Sequence, residues 1–264
     1  MFFFQKQKKK RDYIEVSYMT HTGLVRKENQ DNLCIDGTYL PMGHGNMDEI
    51  RTEEYSLDEI LPLAVFDGMG GEADGEMASF LAAQGFSELI NRRISKEKDL
   101  EEMLNLLNGI VCQTEIDGRK IKGGTTFTGL FFNQDRATFS NLGDSPSYMF
   151  REDVLSRMYE SHTNAAFLKA MGITNRKPGL TQFLGLQETG LILKPYITTV
   201  KIQEDDIYLL CSDGVTDMVS EYDIITILKK ESSATNIVKC LLDAALNNGG
   251  RDNISIVVCK VKKL

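Results

Sequence analysis

The chain has 264 residues, 42% of them apolar, and a formal charge of −8. That is enough apolar content for a full core in one domain, and the wrong sign of charge for a sequence-independent nucleic-acid binder. No stretch approaches the roughly 20 apolar residues of a membrane span, and five cysteines without a CxxC pair, beside only three histidines, argue against a disulfide framework or a zinc knot.

At the start, Met1-Phe2-Phe3-Phe4 precedes Lys6 and the basic run 8–11, the reverse of a secretory order. Residues 1–12 therefore read as a basic N-terminal arm, and a cytoplasmic protein is expected. Residues 14–19 and 31–35 read as short strands around a loop. Residues 38–61 are polar and acidic and read as a solvated insertion or long hairpin. An apolar strand over 61–66 delivers Asp67. From Glu76 the period changes, and Met77, Phe80, Leu81, Phe86, Leu89 and Ile90 predict a helix with an apolar stripe. A second helix is predicted over 98–114. Segments 125–132, 136–142 and 147–150 resemble an antiparallel meander. A short helix is expected over 164–171, strands over 191–200 and 206–211, helices over 222–230 and 235–247, and a last strand over 254–261. This order predicts a mixed α+β chain, read as a single domain over 1–264.

Four aspartates stand out. They are Asp67 in Asp67-Gly68-Met69-Gly70-Gly71, Asp144 in Asn141-Leu142-Gly143-Asp144-Ser145, Asp213 in Ser212-Asp213-Gly214, and Asp252 in Gly250-Arg251-Asp252-Asn253. Each follows or borders an apolar run. Carboxylates gathered on strand ends beside glycines are what a hard divalent cation requires, because such ions take oxygen ligands and two of them can clamp a phosphate. Gly70-Gly71 lacks the lysine and spacing of a P-loop and reads as a tight strand-to-helix turn. Gly123-Gly124 reads as a close backbone approach.

Taken together with His21-Thr22-Gly23-Leu24-Val25-Arg26, Asn29-Gln30-Asp31, Gly75-Glu76 and Gly124-Thr125-Thr126, these pieces give the chain its likeness. Between Tyr18 and Val261 it resembles the metal-dependent PP2C-type (PPM) serine/threonine protein phosphatases, in particular the compact bacterial type. The resemblance implies a β-sandwich of two antiparallel sheets flanked by helices on both sides, with a metal cleft at one edge. It implies two core Mn²⁺ or Mg²⁺ ions. Asp67 would bridge both, the Gly68 carbonyl would contact one with Asp31 on its side, and Asp213 and Asp252 would serve the other. Asp144 would hold a third ion with Asp213, or equally cap a turn. Arg26 would be the phosphate clamp, its alternative being an ordinary surface arginine. Asn29 would order its loop.

The implied activity is metal-dependent hydrolysis of phosphoserine and phosphothreonine in proteins by a water bridging two metals. The implied partners are phosphorylated proteins, including a serine/threonine kinase and its substrates in signal transduction, with no nucleic acid and a monomeric chain. Two other readings use the same fold: an inactive phosphoprotein-binding scaffold, which the complete carboxylate set and Arg26 argue against, and a small-molecule phosphatase. Met69 stands where eukaryotic members often carry histidine, and methionine cannot donate a proton. His162 has an acid reading and a structural one. Residues 164–179 match the family's flap, where Arg176 and Lys177 could meet acidic groups flanking a phosphate.

Overall fold

The computed structural model describes residues 12–90, 97–116, 118–187 and 192–263; the basic run before Asp12 lies outside them. In chain order the first elements are β1 (Asp12–His21), β2 (Asp31–Ile35), β3 (Thr38–Tyr39), β4 (Arg51–Ser56), β5 (Leu61–Met69), α1 (Glu72–Leu89) and α2 (Glu97–Gln113). A small hairpin of β6 (Glu115–Ile116) and β7 (Arg119–Lys120) leads to β8 (Gly124–Thr125), β9 (Phe127–Asn133), β10 (Arg136–Leu142), β11 (Ser147–Arg151) and β12 (Val154–Arg157). Then come α3 (Ala165–Ala170), β13 (Tyr196–Lys201), β14 (Ile207–Cys211), the single turn α4 (Asp213–Thr216), α5 (Glu221–Lys230), α6 (Ala234–Asn247) and β15 (Ile254–Lys263).

One sheet runs β12-β11-β14-β15-β1-β4. The other runs β13-β10-β9-β5-β2-β3, with β8 paired to β5. The ladders within both sheets are antiparallel. Strand alternation decides which side chains go where. Ile14, Val16, Leu63, Val65, Tyr208, Leu210, Val257 and Cys259 fill the space between the sheets, where the rings of Phe132 and Tyr208 meet at 5.3 Å. The opposite parity serves the helices. Phe66 and Phe127 pack edge-on or tilted against Phe86 of α1 at 5.9 and 5.6 Å, and Leu209, Ile256 and Val258 pack under α5 and α6. The helices thus cover the outer faces of both sheets, as the α+β sandwich reading expects.

Several local differences have physical causes. Helix α1 begins at Glu72, ahead of the predicted 76. Its most buried face is made of Ala78, Ala82 and Ala83 as well as Phe86, small residues that a search for large apolar side chains passes over. Gly85 lets α2 come close: a Cβ there would lie 2.8 Å from Ile110 Cδ1. Within 38–61, Arg51–Ser56 forms an ordered strand on the edge beside β1. A ladder needs backbone groups rather than apolar side chains, and Glu53 ties this edge down by accepting hydrogen bonds from Tyr18 and Tyr55. The 191–200 pattern yields a strand only from Tyr196, directly after Pro195, which has no N–H to give to a ladder. Strand β12 follows a turn in which Glu152 and Asp153 both have positive φ, 49° and 67°, the geometry of a tight hairpin.

Candidate active site

Strands β2 and β5 set the first pair of acids. Asp31 and Asp67 are register partners across this ladder. They share the parity of Leu33, Ile35, Leu63 and Val65, which face the other sheet. At the sandwich edge that parity points two carboxylates where further along it points leucines and valines. The backbone of Asp67 is held on both sides by Thr126: its N–H donates to Thr126 Oγ1 at 3.1 Å, and its carbonyl accepts the Thr126 N–H at 2.9 Å. Gly68 must be glycine, because a Cβ would lie 2.3 Å from the Gly75 carbonyl and 2.4 Å from that of Gln30.

The other sheet supplies the second pair. Asp213 opens α4 directly after β14, and Asp252 lies just before β15. The two turns are pressed together, since a Cβ on Gly214 would lie 2.0 Å from the Asn253 carbonyl. Asp144 sits in the bend between β10 and β11, beside Gly143 at φ 116°.

These groups line one open cleft of about 510 Å³ together with Arg26, Met69 and Lys177; Asp31 is buried behind it. Burial, then the neighbouring charges of Asp31, Asp213, Asp144 and Asp252, pushes the Asp67 carboxyl well above the usual carboxylate range. Burial raises Asp31 to about 7, against hydrogen bonds from Ser255 and Ser212 that favour its ionised form; Ser255 Oγ donates to Asp31 Oδ2 at 2.7 Å. Burial takes Asp213 to about 6, opposed by Lys177 and reinforced by Asp144, Asp217 and Asp252. Asp144 is raised by burial as well.

Two of the chain's own cations lean into this field. Arg26 Nη2 donates to Asp252 Oδ2 at 2.7 Å, with half of its side chain (51%) still exposed. Lys177 Nζ lies 3.4 Å from Asp213 Oδ2 and 3.6 Å from Asp217 Oδ2. Among the described residues no group of three or more His, Cys, Asp or Glu side chains is arranged to hold an ion as it stands; Asp252 and Asp213 are turned to these cations. The donor set nevertheless suits hard divalent ions: all carboxylate oxygens, with mutual repulsion, and an Asp67 carboxylate that accepts no hydrogen bond from the described residues.

Asn253 is a member of the site that sequence reasoning did not single out. Its buried amide donates to the carbonyls of Thr22 and Glu28 at 2.8 and 2.9 Å and accepts the Gln30 N–H at 2.8 Å. It therefore clamps both ends of the loop that carries Arg26. Asn29 orders the same region, donating to Thr20 Oγ1 and the Gly45 carbonyl and accepting the Asp31 N–H. His162 is engaged in the bend that carries Asp144: its Nδ1 accepts the Gly143 N–H at 3.1 Å. Burial lowers its pKa, so the ring is neutral near pH 7.

Comparison with known proteins agrees with this architecture. The family model described as Stage II sporulation protein E (SpoIIE) matches residues 58–262. The serine/threonine protein phosphatase PstP of Mycobacterium tuberculosis is 30% identical over 75% of the chain, and the chain spans 40% of the length of that relative. The serine/threonine phosphatase stp of Listeria innocua is 25% identical over 93% of the chain and 95% of its own length. The solved catalytic domain of PstP in complex with two manganese ions superposes with a TM-score of 0.71 at 27% identity, covering 95% of this chain and 99% of that one. With the family model spanning most of its length and the sandwich matching that of its relatives, the chain belongs to the SpoIIE/PP2C-type (PPM) phosphatase family.

Proposed function

We infer that the protein hydrolyses phosphoserine and phosphothreonine in other proteins with the help of divalent ions. The observation that carries this reading is the cleft itself. Aspartates from both sheets converge on it, with pKa values raised by burial and mutual repulsion, an arrangement that costs stability unless cations offset it. The manganese pair in the PstP catalytic domain supports the choice of ion.

On this reading Asp67 would hold two Mn²⁺ or Mg²⁺ ions, the Gly68 carbonyl and Asp31 would serve one, Asp213 and Asp252 the other, and Asp144 with Asp213 a third. When bound, such ions acidify a water molecule and offset charge on the phosphoryl group. Arg26 turns from Asp252 to the phosphate oxygens, for which its planar fork of donors is suited, and Asn253 holds its loop in place for that exchange. Thr126 fixes the backbone of Asp67 and so the direction of its carboxylate. Met69 lines the cleft without a proton to give, so it does not act as general acid for the leaving oxygen.

We read the chain as one phosphatase domain, with 164–179 as the flap over the cleft and 38–61 as an excursion of which Arg51–Ser56 pairs along β1. Phosphorylated proteins, including a serine/threonine kinase and its substrates, are the partners this chemistry fits. The five unpaired cysteines suit a reducing, cytoplasmic setting; among the described residues no helix is long and apolar enough to cross a membrane.

The test is hydrolysis of a phosphothreonine peptide with Mn²⁺ and with EDTA. Metal-dependent release of phosphate is expected. A peptide that binds but stays intact with Mn²⁺ points to the scaffold, and cleavage of small phosphomonoesters alone points to a small-molecule phosphatase.

A further inference from the structure

Beside the main cleft lies a second pocket of about 310 Å³. It shares Arg26, Lys177 and Asp252 with the main cleft and is closed by Asp217, Met218 and Arg251. Its acids are already answered: Asp252 by Arg26 at 2.7 Å, and Asp217 by Lys177 at 3.6 Å. Arg251 is not. Among the described residues it makes no ion pair or hydrogen bond, and it is exposed. Lys177 lies nearer to Asp213 of the main cleft, at 3.4 Å, and Arg26 to Asp252, so Arg251 is the cation of this pocket that no carboxylate among the described residues pairs.

The placement of Arg251 is fixed by its backbone. The Gly250 carbonyl accepts the Leu24 N–H at 2.7 Å, and the Gly249 and Gly250 N–H groups bond back to Leu246 and Ala245 at the end of α6. Gly249 has φ +120°, and its position for a Cβ lies in ordinary contact range, 3.8 Å, of Cγ and Nε of Arg251, so the arginine stem lies along this turn beside the pocket. Arg251 is also next in sequence to Asp252, which faces the main cleft. A substrate whose phosphate reaches Arg26 brings its neighbouring residues to this pocket.

We propose that the pocket closed by Arg251 is an anion subsite, which takes a second negatively charged group carried by the substrate close to the phosphoresidue being hydrolysed. This deepens the function inferred above and rests on it. The chemistry recognised is a carboxylate or a second phosphoryl group, either of which pairs with a guanidinium through two hydrogen bonds. The preferred substrates are phosphopeptides with an acidic or phosphorylated residue within about two positions of the target, a span of about 7 Å in extended chain.

The experiment compares three phosphothreonine peptides on the native protein with Mn²⁺: one with neutral flanks, one with glutamate placed within two residues on either side, and one with phosphoserine at those places in the form of its phosphonomethyl analogue, which is not hydrolysed. Each is measured for kcat/KM, and for binding by fluorescence anisotropy. The native protein is expected to favour the anionic peptides about two- to fivefold, the upper part of the range for an exposed ion pair. In Arg251→Ala the ratio falls toward one, and in Arg251→Glu it inverts. The ratio is taken within each protein, so a general loss of activity or of folded material cancels. Preference for both anionic peptides, or for the phosphoserine peptide alone, supports the subsite and identifies the anion. A native ratio near one, or a preference that both variants keep, overturns it. If no peptide is hydrolysed, the phosphatase reading fails, while the binding ratios still decide the subsite.

Discussion

Asp31 stands directly opposite Asp67 across the β2–β5 ladder, so two carboxylates that repel each other share one end of the inter-sheet face. Their charge is tolerable only in company, and that gives a pH signature. In the unfolded chain aspartate titrates near 3.9. In the folded, ion-free chain Asp31 is raised to about 7 and Asp213 to about 6. Raised folded values mean that the native state holds more protons over this interval, so stability is fullest below about pH 4 with respect to these groups and is lost as pH rises toward 7. In EDTA, Tm is expected to drop by roughly 5 °C or more between pH 5 and pH 8, and Mn²⁺ to restore more at pH 8 than at pH 5. A flat profile by calorimetry, with and without metal, would show that the carboxylates do not carry this cost.

Replacing Asp67 separates stability from function. Asp67→Asn removes the charge most strained by its neighbours, so the ion-free protein is expected to melt at a higher temperature than the native one. Activity should fall at least about 100-fold, and Mn²⁺ should no longer raise Tm as it does in the native protein. Near-native turnover in this variant would remove Asp67 from the metal site.

Arg26→Ala tests the phosphate clamp. Its ion pair with Asp252 is half exposed, so stability should change by less than about 1 kcal/mol. Steady-state kinetics should show a raised KM and a loss of about 10- to 100-fold in kcat/KM. Unchanged kinetics would return Arg26 to the status of a surface arginine.

Asn253→Ala leaves the carbonyls of Thr22 and Glu28 and the N–H of Gln30 without their partner. A loss of about 2–4 kcal/mol is expected by denaturant titration. With the protein still folded at low temperature, a raised KM should accompany it, because the loop that carries Arg26 loses its anchor. Stability loss without any change in KM would confine Asn253 to the fold.

Gly68→Ala and Gly43→Ala form a matched pair. The first drives a methyl group to 2.3 Å from a backbone carbonyl, whereas the second meets nothing within 4 Å and carries only the strain of φ +70°. The expected losses are about 2 kcal/mol or more for the first and about 1 kcal/mol for the second. Comparable Tm values would show that the β5 end is more pliable than its contacts imply.

The apolar runs made most strands and helices legible, and aspartates set beside a glycine or an asparagine at the ends of such runs made the cleft acids legible, because both signals are local. What escaped was held by partners distant in sequence. Arg51–Ser56 looks solvated when read alone and becomes a strand because β1 offers an open edge. Asn253 is one polar residue among many until Thr22, Glu28 and Gln30 surround it. Ser255 did leave a trace: it shares the inward parity of Val257, Cys259 and Val261, and a lone hydroxyl in such a row marks the point where a core gives way to a site. Lys177 was legible as a flap residue beside the cleft, but its pairing with the chain's own Asp213 and Asp217 was not, since its loop has no periodicity to fix where the amine reaches.

Because Asp31 and Asp67 hang from one sheet and Asp213 and Asp252 from the other, the gap between the opposing acids is inherited from the thickness of the interior. The Phe132–Tyr208 contact at 5.3 Å is part of that filling. Sheets packed this way stand about 10 Å apart and deform little. Trimming an aromatic deep inside would therefore leave a cavity and cost stability, while the separation of the opposing acids would change little. The spacing of the opposing acids is thus set by the hydrocarbon between the sheets as much as by the loops that carry them.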